Sequence, residues 1–384
     1  MKLTEGIYPK VINWVLASSP ARQLNTESGG ILSLLKNRLN SKPIRVKQYL
    51  PASFQLPLIL LFVFIMASGC SSHRDRLNVD VSAVKIPDIK IHRYDRDLFT
   101  VGITDLRSGL ERIQHNYYFF LGTDLSDPKK LAEMKEYLEN PRTVGFQKAC
   151  EKQYKDVSKI ETELTDAFRH WKFYFPEARI PRVYSYISGG DYNNPVQLVD
   201  SVLIIGLDNY LGKDFKPYFA DGLALYEVER MDGAHIVPDC AKEIVNGMYP
   251  VSAAPNTLLS GMVEAGKHQY LVNALIPHVP ANLRMNYTKS QYDWVEKNEI
   301  HVWAALVENR LLYSSDGQYF RMFLADSPCT MEFSKESPPR LGEWIGYKIV
   351  RSYMQNNKEV TLQMLMKETD AQKILTLSGY KPEK

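Results

Sequence analysis

The sequence predicts an α+β fold, a mostly helical domain that carries a small sheet. Three observations support that expectation. Strand-like runs stand at 84–99, 181–188 and 201–212, all before residue 213. Apolar stripes at helical spacing fill the second half. Between the strand-like runs stands SGGDYNNP (188–195), too dense in turn formers for either kind of element.

Taken in order, VKIPDIKIHRYDRDLF (84–99) alternates as a strand does, and Pro87 assigns it to a sheet edge. Residues 106–121 and 129–138 read as helices, the second opened by Asp127-Pro128. Residues 157–175 read as a longer helix that ends before Pro176. PRVYSYIS (181–188) and SVLIIGLDNYLG (201–212) read as two strands joined by the turn-dense loop. Residues 239–245 and 257–276 read as helices, and Pro277 stops the second. The next helix is expected from Ser290, with Asp293 in the acidic place of a capping box. Trp303, Leu306, Val307 and Leu311 form its apolar stripe. A helix over 342–354 shares Ile345, Ile349, Val350 and Tyr353 on one face, and Thr361 is an N-cap for a last helix over 362–377.

The N-terminal part is set apart by composition. Residues 56–67 (LPLILLFVFIMA) form the one strongly apolar run, and 12 residues are too few to span a hydrocarbon core of ~30 Å. Lys42, Arg45 and Lys47 precede it, and Ser68, Gly69 and Cys70 follow. A basic stretch, a short apolar stretch and small residues describe a secretory signal. Ala67-Ser68-Gly69-Cys70 resembles the bacterial lipobox, with Ala67 in place of the usual Leu. Residues 1–69 are therefore expected to be a leader and lipoprotein signal peptide, with residues 1–41 the product of a start set too far upstream. Cys70 is the expected lipidation site, anchoring the protein to a membrane by its acyl chains. Residues 70–83 are expected to be a tether and 84–384 a single domain.

Of 47 Lys and Arg, 8 lie in residues 1–69, as do 2 of the 44 acidic residues, so the net charge passes from +3 for the whole chain to −3 beyond the leader. The basicity belongs to the leader, and no basic stripe points to nucleic acid. Cys150, Cys240 and Cys329 have no metal-binding spacing, and export permits one disulfide among them.

MVEAGKHQYLV (262–272) is the stretch that bears on chemistry. With His at 263 and 267 it would be H-E-x-x-H, the zinc-protease signature. That spacing puts two imidazoles on one helix face, one turn apart, with the Glu poised to activate a metal-bound water. Here the two places hold Val263 and Lys267. Val263 has no donor atom, Lys267 is an ammonium, and His268 is rotated ~100° from the required face. Among His235, His268, His278 and His301, no two are spaced i,i+4. No catalytic residue, metal or cofactor is expected from this pattern, and a Glu264 contact with Lys267 or His268 is an ordinary helix-surface pair. No G-x-S-x-G, P-loop or G-x-G-x-x-G stands in a suitable context.

GLDNYLGKDF (206–215), MVEAGKHQYLVNALIP (262–277), NEIHVWAALVENRLLYSSD (298–316) and LGEWIGYKIVRSYMQNN (341–357) follow one another. This order and wording resembles the gliding motility-associated lipoprotein GldB family of Bacteroidetes, over residues 181–384 and less closely over 84–180. The resemblance implies a lipid-anchored envelope protein needed for gliding motility, in bacteria that also carry type IX secretion machinery. It implies a zincin-like scaffold related to zinc proteases, with the metal ligands absent. The corresponding helix in the family reads E-G-K. In this chain Glu264, Ala265, Gly266 and Lys267 put the Glu one residue earlier.

A zincin-like fold has a cleft floored by the site helix. Glu264, Lys267 and His268 are expected to face or flank it, and Asp208 to pair with Lys267. Glu343, Trp344, Tyr347 and Arg351 are expected from a later helix, with Arg351 able to bind a carboxylate bidentately. An extended peptide could add to the edge strand. The function expected is a non-catalytic, periplasm-facing envelope protein that binds a protein or peptide of the motility or secretion machinery. The alternative is a zinc-dependent peptidase or other hydrolase with displaced ligands. For the polar residues themselves, the alternative is that they pair with one another as a core fastener.

Overall fold

Four short strands lie at the centre of the molecule. The computed structural model describes residues 76–251 and 255–382. Strands Ile91–Arg93 (β1), Arg182–Tyr186 (β2), Val196–Val199 (β3) and Val202–Gly206 (β4) form one mixed sheet in the order β1-β2-β4-β3. β1 and β4 both run parallel to β2, in register Ile91↔Val183 and Val183↔Leu203. β3 turns back on β4 as an antiparallel hairpin, with Val199 opposite Val202 and Asp200 at φ 54° in the tight turn. Every residue of β4 (VLIIG) is buried. Such an unbroken apolar run suits a strand covered on both faces. Tyr184 and Tyr186 point to one face, where both meet the ring of Phe120.

Helices of six residues or more surround this sheet. They are Leu106–Gln114 (α1), Pro128–Glu139 (α2), Pro141–Gln153 (α3), Ser158–Tyr174 (α4), Ile236–Met248 (α5), Leu258–Leu275 (α6), Lys289–Glu308 (α7), Gly317–Leu324 (α8), Leu341–Asn356 (α9), Leu362–Lys367 (α10) and Ala371–Ser378 (α11). Asp127 and Asn140 cap α2 and α3, each with Pro at the first turn. Thr257 and Ser260 form a reciprocal cap on α6. α6 is buried on nearly all sides, as befits the central helix of a core rather than a surface one.

Glycines set the closest helix approach. A Cβ on Gly266 of α6 would stand 2.2 Å from the carbonyl carbon of Gly346 in α9, and one on Gly346 would stand 1.7 Å from the Met262 oxygen. α6 and α9 thus cross backbone to backbone.

The outer strands end their hydrogen-bond ladders on glutamates. The Ile91 N–H of β1 donates to Glu161 of α4 at 2.9 Å, and the Leu198 N–H of β3 donates to Glu243 of α5 at 3.1 Å.

The α+β expectation is met, and several elements differ in extent. Only Ile91–Arg93 of 84–99 is strand, because Tyr94–Asp97 folds into a helical turn held by the Arg93–Asp95 ion pair at 2.7 Å. It does lie at a sheet edge. The helix expected over 106–121 breaks after α1. The one over 362–377 breaks where Asp370 caps α11. α7 is capped by Thr288 with Gln291, not by Ser290 with Asp293. β3 and α3 were not anticipated. Leu77 and Val81, expected in a tether, are buried in the core. Cys150 and Cys240 are buried free thiols and Cys329 is a half-buried one. The leader and Cys70 lie outside the described residues.

Candidate functional site

Glu264 stands near the middle of α6. Its carboxylate lies 2.6 Å from the Lys267 ammonium and 3.6 Å from Nε2 of His268. The His268 imidazole and then the Lys267 ammonium, against the opposing effect of partial burial, bring the Glu264 pKa down from 4.5 to about 2. By distance the lysine is the closer partner. Lys267 is 2% exposed, and its Nζ also donates to the Glu368 carbonyl at 3.0 Å. The ammonium is therefore held from both sides. Val263 is buried in the core.

Glu264 and His268 open onto a cavity of about 370 Å³. Lys242 and Asn246 of α5 and Arg340 and Glu343 at the start of α9 complete its polar wall. Val245, Val272 and Leu324 supply apolar surface. Arg340 lies 3.6 Å from Glu343 and 3.7 Å from Asp326, with its guanidinium 5.7 Å above the Tyr287 ring. Burial, and then the neighbouring Arg340 guanidinium, lower the Lys242 pKa. Glu343 and Asp326 already match the Arg340 charge.

Of the residues predicted for the cleft, Glu264, His268 and Glu343 come together here. The others do not. Asp208 does not pair with Lys267. It is fully buried after β4, and its carboxylate accepts the Ser188 N–H at 2.7 Å, the Ser188 hydroxyl at 2.8 Å and the Gly190 N–H at 3.2 Å. Its work is to fold the SGG turn, and burial raises its pKa against the pull of those bonds. Trp344 is a core residue whose indole N–H donates to Glu299 at 3.2 Å. Tyr347 packs near Trp344 and Tyr270. Arg351, two turns beyond Glu343 on α9, is not on the cavity wall. Nor is Lys267, which points to Glu368 instead. At the predicted edge strand, β1, the Ile91 N–H is taken by Glu161 at 2.9 Å.

Lys242, Asn246 and Arg340 are the cavity residues that sequence reading missed. Lys242 and Asn246 stand one turn apart on α5 and Arg340 precedes α9, and no motif links the three. The turn-dense 188–195 loop walls a second cavity of about 590 Å³ that is rich in carboxylates, among them Asp191, Asp221 and Asp239.

The fold and this cavity describe an α+β protein with a polar-walled cavity beside a central helix. A family model described as gliding motility protein GldB matches residues 74–382, and the chain belongs to that family. No curated protein matches the chain. No solved structure matches it either. Among the described residues, no helix is long and apolar enough to cross a membrane.

Proposed function

We propose that this motility protein is a lipid-anchored, periplasm-facing envelope protein that acts without catalysis. On this reading it holds a protein or peptide of the motility or secretion machinery in the cavity over α6. The scaffold is zincin-like, with the protease chemistry replaced by binding. The observation that carries the reading is the Lys267 ammonium 2.6 Å from Glu264, which occupies the carboxylate that would otherwise activate water. The Lys242–Arg340 pair beside apolar Leu324 and Val245 suits a partner segment that brings a carboxylate next to an apolar side chain. Support for anchoring is the Ala67-Ser68-Gly69-Cys70 stretch behind an apolar run, just before the start of the family match.

The test is photo-crosslinking in living cells from a probe residue at Asn246, on the cavity rim. A discrete adduct from Asn246, absent from a probe at exposed Glu308, is the expected result. No adduct from Asn246, or the same adducts from both places, would refute the cavity as the docking site. Loss of fatty-acid labelling in Cys70→Ser tests the anchor, and unchanged labelling would overturn it.

A further inference from the structure

A second group of side chains converges away from this cavity. Asp166 and His170 lie one turn apart on α4, and His278 follows the end of α6. One donor atom of each lies within 4.8 Å of those of the other two. The rings of His170 and His278 meet edge to face at 5.6 Å between centroids.

The state of His170 adds an independent observation. The ring is fully buried. Its Nδ1 lies 2.9 Å from the Asp166 carbonyl oxygen and 3.6 Å from the Asp166 carboxylate. A carbonyl only accepts, so Nδ1 carries the hydrogen and Nε2 keeps a bare lone pair. That Nε2 is buried and has no hydrogen-bond partner. A buried polar atom without a partner is costly and uncommon. Histidine ligands to metals have the same arrangement, with the distal N–H tied to a backbone carbonyl and the other nitrogen on the ion.

We propose that Asp166, His170 and His278 bind a divalent transition-metal ion of the zinc class. Two imidazoles and one carboxylate are a donor set that zinc accepts, and three protein ligands leave a position for water. Asp166 and His278 also line a cavity of about 1040 Å³, and His170 lies buried behind its wall. Glu163 adds an anion to that cavity, and Arg169 and Lys159 add cations. The ion would tie α4 to the C-terminal end of α6, the helix that floors the first cavity. Sequence reading compared only histidine pairs, and so passed over the Asp-x-x-x-His spacing at 166 and 170.

The experiment uses the full-length chain in detergent, stripped of metal by chelator and titrated with zinc against a chromophoric competitor. One equivalent per chain is expected. The affinity should fall by at least about tenfold in His278→Ala, whose side chain is exposed, and similarly in Asp166→Asn. His268→Ala, in the other cavity, should bind as the wild type does. Zinc should raise the Tm of the wild type by more than that of His278→Ala. No binding, binding unchanged in both His278→Ala and Asp166→Asn, or binding lost in His268→Ala would each overturn the proposal.

Discussion

The Glu264 carboxylate stands 2.6 Å from the Lys267 ammonium, one turn along the same helix, and that ammonium also donates to the Glu368 carbonyl at 3.0 Å. Acid should reveal what this contact contributes. The pKa of Glu264 in the folded protein, about 2, lies below its ordinary 4.5. As pH falls, the unfolded chain therefore takes up this proton first. The stabilisation is complete above 4.5 and is lost between 4.5 and 2. Urea midpoints at pH 5 and pH 3 should drop further for the wild type than for Glu264→Gln. Equal drops would show that the pair contributes nothing.

The glycine crossing should tolerate no side chain. In Gly346→Ala the new Cβ would stand 1.7 Å from the Met262 oxygen, and that atom is backbone in a buried helix. A loss of about 3 kcal/mol or more is expected, at the upper end of overpacking costs. Gly145→Ala is the counterpart. Its Cβ would meet nothing within 4 Å in the middle of α3, so helix propensity should yield a gain of about 0.5–1 kcal/mol. Thermal melts of the two variants should move in opposite directions.

Asp208→Asn should be costly although it is nearly isosteric. An amide nitrogen would face N–H donors from Ser188 or Gly190. A loss of about 1–3 kcal/mol is expected. Hydrogen exchange at the Ser188 and Gly190 amides should rise in the same variant. Protected amides in Asp208→Asn would mean that the turn holds itself.

The boundaries of α6 were legible because Thr257 caps it and Pro277 stops it. The Glu264–Lys267 spacing was legible too, but its environment was not. The pair reads as a surface contact, and only the Gly266–Gly346 crossing explains why that side of the helix is buried. The predicted place of Asp208 failed for a related reason. Its partners are backbone amides of a loop, which leave no trace in residue type. β3 was missed because four residues after Pro195 are too few to show alternation. Trp344 and Tyr347 share a helix with Glu343, yet the core takes the two aromatics and the cavity takes the acid.

The glutamates at the two rims of the sheet have a further consequence. A row of bare amides is a template on which another chain can nucleate fibre growth. Glu161 covers such an amide on β1 and Glu243 covers one on β3. Copies of the molecule can then be crowded together without their sheets recruiting one another. Glu243→Leu would uncover the β3 rim and leave the hairpin in place, and thioflavin-positive fibres are expected on mild heating where the wild type stays clear. Two modest side-chain contacts would in that case set the solubility of the whole chain.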